Sequence, residues 1–311
     1  MKQGFLASAS PLTKLIFLFI IAFACFGIIF IIGTIVGLVL FDINIFELSA
    51  VLEDLYNPNN VSILKYFQIL QTIGLFVIPP FILAYFINRN PKSYLNFNKK
   101  SSLEIYIIAG LAMLLALPLI NFFADINSKM NLPESLSGIE NWMRDKEVTA
   151  EELTKIFVHA ENFSGFVLNL FMIAILPAIG EELIFRGVIQ KLFSESFNNV
   201  HWGVIIASIL FSAFHLQFFG FIPRMLLGVF LGYLFVWSKN IWIPIFAHFV
   251  NNGAAVTAYY FLDEETVTKN LEEVGATNET AIYTIVSVIV VGFLIYLFRK
   301  KVAEENLIKT N

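Results

Sequence analysis

Long apolar runs separated by short polar connections make up most of the chain. A helix needs roughly 20 residues to cross a hydrocarbon core about 30 Å thick. Eight segments reach or approach that length: residues 15–41, 63–87, 105–123, 166–192, 202–219, 223–238, 241–262 and 281–298. The sixth is the weakest, because it is short and only a few residues separate it from its neighbours. The pattern predicts an all-α, polytopic membrane protein with about eight transmembrane helices, and seven remains an open alternative.

One polar segment, residues 124–165, is much longer than the other connections. It carries apolar residues at helical spacing, which is typical of amphipathic helices that pack on a bundle or lie in the membrane interface. These residues are Ile139, Trp142, Met143, Leu153, Ile156 and Phe157. We predict one or two short extramembrane helices here. No internal repeat is visible, so we interpret residues 1–311 as a single membrane domain.

Glycines and prolines mark special points within the spans. Gly228 and Gly232 stand four residues apart, a spacing that permits close helix contact but is common in apolar sequence. Pro177 lies inside the fourth span and is expected to bend it.

The composition supports a membrane protein and excludes several other classes. Of the 311 residues, 58% are hydrophobic and only 14% are charged, and the mean hydropathy of +0.75 lies far outside the range of soluble domains. The net charge of -4 gives no support to nucleic-acid binding. The single cysteine, Cys25, cannot form an internal disulfide. The first apolar run is too long for the core of a signal peptide, so we expect it to stay in the mature protein.

The distribution of charge predicts an orientation, because short cytoplasmic loops retain an excess of lysine and arginine. Residues 89–100 and 299–301 are basic, whereas loops 42–62 and 263–280 are acidic. Arg224 is an exception to this alternation. We expect both termini on the cytoplasmic side, an even number of spans, and a location in a bacterial plasma membrane.

The fourth span contains GEELIFRG at residues 180–187, with three full charges inside an apolar run. On insertion scales these charges cost roughly 7–10 kcal/mol, about what the apolar residues of the span return. They must therefore face other helices or a wet cavity. Glu182 and Arg186 stand four apart and can form an ion pair, whereas Glu181 points about 100° away. Interhelical support explains Glu182 and Arg186 as well as a functional role does, which leaves Glu181 as the candidate for chemistry.

Three further polar residues lie inside apolar spans: His215 in the fifth, and His248 and Asn252 in the seventh. Each histidine alone would more often be a satisfied core residue. Counted at about 1.5 Å per residue from the cytoplasmic ends, however, all three meet Glu181 in one layer near the bilayer middle. A carboxylate beside an imidazole can take a proton from water, while a second imidazole and an amide can stabilise an oxyanion. Glu181, His215 and His248 could alternatively bind zinc with one open position.

These residues fall in three ordered motifs: EELIFR matches EExxxR, FSAFH matches FxxxH, and HFVNN matches HxxxN. The set resembles the CPBP family, the CAAX-protease and bacteriocin-processing intramembrane peptidases related to the eukaryotic Ras-converting endopeptidase. The motif region, residues 166–262, is the expected catalytic core. The resemblance implies that Glu181 and His215 activate water, that His248 and Asn252 stabilise the oxyanion, and that Glu182 and Arg186 are mainly structural.

The resemblance leaves the metal and the substrate open. Family members have been described both as metal-dependent and as glutamate-dependent without metal. We expect no required cofactor, because no third histidine or cysteine lies at a suitable depth. The expected substrate is a membrane-associated peptide or protein. Processing and self-immunity are both known roles in the family, and the sequence does not indicate an oligomeric state.

Two rival functions use the same residues. A non-catalytic immunity or scaffold protein would need the polar network only to hold the bundle together. A proton-coupled transporter would use it as a relay, but transporters often show paired halves, and the first three spans carry almost no buried charge.

Overall fold

The structure, a computed structural model, describes residues 3–310 apart from 56, 263–265, 268–270 and 272, and gives the backbone alone for 309 and 310. The loop 263–280 was predicted to lie outside because it is acidic. Most of its acidic side chains fall outside the described residues. The described chain is a bundle of nine principal helices without strands. They are α1 (Pro11–Leu40), α2 (Pro58–Asn88), α3 (Leu103–Ser128), α4 (Ser137–Val158), α5 (Phe163–Ser196), α6 (Val200–Phe214), α7 (Phe221–Ser238), α8 (Trp242–Phe261) and α9 (Ala281–Thr310).

The all-α, polytopic membrane fold is confirmed. Within the described chain, six helices are long and apolar enough to cross a membrane, namely α1, α2, α3, α5, α7 and α9. The other two predicted spans also form helices, but α6 has only 15 residues and α8 carries the polar HFVNN motif. The predicted number of eight spans is not confirmed.

The predicted fifth span, 202–219, extends too far at its C-terminal end. Helix α6 stops at Phe214, His215 is its C-cap residue, and Leu216 adopts a left-handed conformation with φ of 53°. A left-handed residue terminates a helix, so residues 215–220 form a connection rather than part of the span.

The polar segment 124–165, for which one or two short amphipathic helices were predicted, contains one long helix. Helix α4 has 22 residues and only Val158 is buried. Its Trp142 ring lies 5.4 Å from Phe218, and the Arg144 guanidinium lies 4.3 Å from the Phe219 ring centroid. Helix α4 therefore packs on the connection 215–220 that follows α6.

Helix α5 is irregular, which is a consequence of its sequence. It contains π-helical turns at Leu170–Ile175 and Phe185–Ile189, and the first of these precedes Pro177. Proline has no N–H to donate to the carbonyl four residues earlier and its ring crowds that carbonyl, which disturbs the helical hydrogen bonds. The same combination occurs in α2, where a π-turn at Ile73–Val77 precedes Pro79 and Pro80.

Candidate active site

Glu182 is the buried centre of the polar cluster. Its side chain is 0% exposed, and its Oε1 accepts hydrogen bonds from Arg186 Nη1 at 2.8 Å and from His248 Nδ1 at 2.9 Å. The spacing of the motif predicted the contact with Arg186, and the structure contains it. The contact with His248 joins α5 to α8 and could not be inferred from spacing, because it depends on how the two helices pack.

Arg186 connects the same cluster to α7. Its Nη2 donates to the carbonyl of Gly228 at 2.9 Å, and one turn further along Gln190 Nε2 donates to the carbonyl of Gly232 at 3.2 Å. Glycine at 228 permits a close crossing with α6, since a Cβ there would lie 2.9 Å from Ser208 Cβ. The glycine spacing therefore does correspond to a close helix contact, and it exposes backbone oxygens to the polar side chains of α5.

Glu181 lies on a different face of α5 and is not part of this ion pair. Its side chain is 16% exposed, and the nearest imidazole nitrogen is His248 Nε2 at 3.9 Å from Oε2. That distance is too long for a hydrogen bond. Glu181 borders a cavity of about 160 Å³, so its carboxylate is available to a molecule in that cavity.

His215 lies at the end of α6 and borders the same cavity. Its Nδ1 is 2.8 Å from the carbonyl oxygen of Phe211, one of the carbonyls that a helix leaves without a partner at its C-terminus. Because a carbonyl can only accept, Nδ1 must carry the proton. In the neutral ring, Nε2 then keeps a lone pair that can accept a proton or orient a water molecule.

Asn252 is held by the irregularity in α5. Pro177 cannot donate to the carbonyl of Ile173, and Asn252 Nδ2 donates to that carbonyl instead at 3.1 Å. The same Nδ2 lies 3.3 Å from His248 Nε2. Both amide hydrogens of Asn252 are therefore directed at acceptors within the protein, one of them the lone pair of a neutral His248.

All four residues predicted to form the site border this single cavity: Glu181, His215, His248 and Asn252. Sequence reasoning missed two further polar residues on its wall, Arg224 and Asn251. Arg224 is detectable in the sequence as a charge in an apolar span that breaks the alternation of basic and acidic loops. The remaining wall is apolar, formed by Met113, Phe211, Leu227 and Leu231.

The alternative zinc set of Glu181, His215 and His248 does not fit a metal in the observed geometry. Within the described residues, no group of three or more His, Cys, Asp or Glu side chains is arranged to hold a metal ion. We therefore derive no reaction step through a metal.

Comparison with known proteins gives a family match that includes these motifs. Residues 163–254 match the family model described as Type II CAAX prenyl endopeptidase Rce1-like. That segment contains the four residues predicted to form the site and the two predicted to support it structurally, namely Glu181, His215, His248, Asn252, Glu182 and Arg186. The chain is 32% identical over 128 residues to the membrane-embedded CAAX protease MroQ of Staphylococcus aureus, a match that covers 38% of this chain and 49% of that protein. It is 30% identical over 86 residues to YpbD of Bacillus subtilis, which is itself uncharacterised, covering 26% of this chain and 41% of that protein.

The extent of these matches is limited. The chain matches less than half the length of either relative, and no solved structure matches it significantly. Within that extent, the matches confirm the family resemblance that the three motifs predicted.

Proposed function

We propose that this chain, a member of the CPBP family of CAAX proteases through its motif segment, is an intramembrane endopeptidase that hydrolyses a peptide bond with an activated water molecule. One observation carries the proposal. Four polar side chains from α5, α6 and α8 border one cavity of about 160 Å³, in a helical protein whose surface is otherwise largely apolar. A carboxylate, two imidazoles and an amide are the groups that water activation and oxyanion stabilisation require.

In the proposed reaction, Glu181 is the general base. No cation or backbone donor occupies its carboxylate in the described structure, and the Nε2 lone pair of His215 can orient the attacking water beside it. The water oxygen bonds to the carbonyl carbon of the substrate while its proton passes to Glu181. Glu181 then returns the proton to the leaving amine as the carbon–nitrogen bond breaks, so that no proton is gained or lost overall.

His248 and Asn252 are the proposed oxyanion donors. In the resting arrangement, however, Asn252 donates to His248 Nε2 and to the carbonyl of Ile173, and His248 donates from Nδ1 to Glu182. A neutral His248 whose Nδ1 donates to Glu182 has no proton on Nε2. Protonation of Nε2 would supply one donor and release the Asn252 N–H that points at it. A single proton would then convert both residues into oxyanion donors.

We propose a membrane-associated peptide or protein as the substrate, because the cavity lies within a bundle of apolar helices. MroQ is named as a membrane-embedded CAAX protease, which supports this class of reaction. We further propose a bacterial plasma membrane with both termini in the cytoplasm. Its support is the alternation of basic and acidic loops and the bacterial origin of the two relatives.

The test is cleavage of palmitoylated peptides by the purified chain in liposomes, with products identified by mass spectrometry. The parent protein is expected to cleave, and Glu181→Ala is expected to lose turnover while it keeps its expression level and thermal stability. Glu104→Gln, an exposed position in α3, is the matched control and should cleave like the parent. Cleavage by Glu181→Ala at the parental rate would remove Glu181 as the base. Absence of cleavage by the parent would favour a non-catalytic immunity or scaffold role.

A further inference from the structure

Arg224 is a cationic side chain in the candidate active site that none of the three motifs contains. It lies in the first turn of α7 and borders the same cavity as Glu181, His215 and His248. Among the described residues that line the cavity, no other side chain carries a permanent positive charge. An arginine in this position therefore needs a partner, and its hydrogen bonds indicate what that partner is.

The guanidinium is held in place along one edge. Its Nη1 donates to the main-chain carbonyl of Gln217 at 3.3 Å, and its Nη2 donates to Gln217 Oε1 at 2.6 Å. Glycine at 220 makes room for it, since a Cβ there would lie 2.6 Å from Nη1. The connection 215–220 thus positions both His215 and Arg224.

The rest of the guanidinium has no protein acceptor in the described structure. Arginine carries five N–H donors, and the two bonds to Gln217 leave three of them. The negative charges of Glu147 and Glu181 act on Arg224 from a distance. No carboxylate oxygen of the described chain, however, lies within 4.0 Å of a guanidinium nitrogen of Arg224, the limit for an ion pair. Glu147 instead accepts a hydrogen bond from the backbone N–H of Phe219 at 3.1 Å.

Comparison with Arg186 shows that the two arginines differ in how their charge is compensated. Arg186 pairs with Glu182 at 2.8 Å and donates to Gly228 at 2.9 Å, and only 1% of its side chain is exposed. Arg186 also makes two hydrogen bonds, but one of them is to a carboxylate, which compensates its charge. Arg224 is fixed only by neutral oxygens beside an open cavity, the arrangement of a site that receives an anion.

We infer that Arg224 binds a carboxylate of the peptide substrate and so selects peptide bonds that lie near one. This inference rests on the proposed endopeptidase function and adds the substrate chemistry that the site favours. The carboxylate has two sources, the C-terminus of the substrate or an aspartate or glutamate side chain. Since about 160 Å³ is smaller than the roughly 300–1,000 Å³ of typical ligand pockets, that carboxylate belongs to a residue close to the bond that is cut.

A different role would give a different result. If Arg224 served only to stabilise the charge of Glu181, its loss would lower the rate for every substrate by the same factor. If it bound a substrate carboxylate, its loss would affect only substrates that carry one, and mainly through KM. The ratio of rates for matched substrates separates the two roles, and a general structural defect does not change that ratio.

The experiment uses the full chain in liposomes and palmitoylated peptides of randomised sequence. In the first pair of peptide sets, one set has a free C-terminal carboxylate and the other an amidated C-terminus. In the second pair, one set contains Asp and Glu, and the other has Asn and Gln at the same positions. We expect the parent to favour one carboxylate set, which identifies the source. Arg224→Gln is expected to reduce kcat/KM for that set by about 10- to 100-fold, and to change cleavage of the neutral set less than about threefold.

The controls keep the outcome decisive. Arg224→Lys retains the positive charge and is expected to retain part of the preference for the carboxylate set. Arg299→Gln removes a positive charge in α9 that lies over Trp237 rather than at the cavity, so this variant should cleave like the parent. Equal cleavage of charged and neutral sets by the parent would overturn the inference even if Arg224→Gln fails to fold, and would leave the proposed function intact. Equal loss on both sets in Arg224→Gln would also overturn it. Absence of all cleavage by the parent would refute the proposed function and this inference with it.

Discussion

The two adjacent glutamates of the EELIFR motif are expected to respond in opposite ways to the same conservative replacement. Glu182→Gln removes the charge that Arg186 and His248 bind at 2.8 and 2.9 Å, in a side chain that is 0% exposed. Breaking a buried ion pair from one side costs about 3–5 kcal/mol, because the remaining charge stays buried without compensation. That is a large fraction of a total stability of about 5–15 kcal/mol.

Glu181→Gln is expected to have little effect on stability. The nearest imidazole nitrogen of Glu181 lies 3.9 Å away, and the side chain borders a cavity and is 16% exposed. The replacement keeps the shape and loses no hydrogen bond, so the expected change is below about 1 kcal/mol. Its effect should fall on turnover instead, where loss of a general base lowers kcat by roughly 10²–10⁴-fold.

Thermal unfolding in detergent measures this difference. On the scale of soluble domains, about 2–4 °C per kcal/mol, the Tm of Glu182→Gln should fall by roughly 6–20 °C, and that of Glu181→Gln by less than about 4 °C. A parental Tm for Glu182→Gln would show that the buried network does not stabilise the bundle. Equal losses for both variants would show that the division between a supporting and a reacting glutamate is wrong.

Three further replacements test other parts of the structure. Asn252→Ala is expected to lower kcat by about 10²–10³-fold, the effect of losing one oxyanion donor, and an unchanged kcat in steady-state assays would exclude that role. Gly228→Ala should cost about 1–3 kcal/mol in thermal unfolding through overpacking, because its Cβ would lie 2.9 Å from the facing helix, whereas Gly27→Ala, with nothing within 4 Å, should be neutral. Asn169→Leu removes the acceptor 2.7 Å from the buried Lys65 ammonium and should cost about 2–3 kcal/mol. Adding Lys65→Met should restore part of that loss, and no restoration would argue against an uncompensated charge as the cause.

The helices were predictable because the bilayer imposes a minimum length on each apolar run. Predicted and observed bounds differ by at most five residues at most helix ends, as for 63–87 against Pro58–Asn88. The exception is the C-terminal end of α9, which lies well beyond the predicted bound of 298. The end of α6 falls five residues short of the prediction, because a left-handed Leu216 stops the helix. Since Leu216 is neither glycine nor asparagine, its residue type does not predict that stop.

The composition of the site was predictable for a similar reason. A charge or an imidazole in an apolar span is costly, so each such residue is informative, and depth counting brought Glu181, His215, His248 and Asn252 to one layer. The contact between Glu182 and His248 was not predictable, because it depends on the packing of α5 against α8. The position of Asn252 depends on a carbonyl that Pro177 leaves free, a link that crosses 79 residues of sequence.

Hydrolysis in water enriched in ¹⁸O, under single-turnover conditions, tests the central claim most directly. If Glu181 acts as a base on water, mass spectrometry should find one ¹⁸O in the new C-terminal carboxylate of the product and none in the peptide that contains Glu181. Label in Glu181 would show that its carboxylate attacks the substrate itself, and a parent protein that produces no labelled product would contradict hydrolysis at this site.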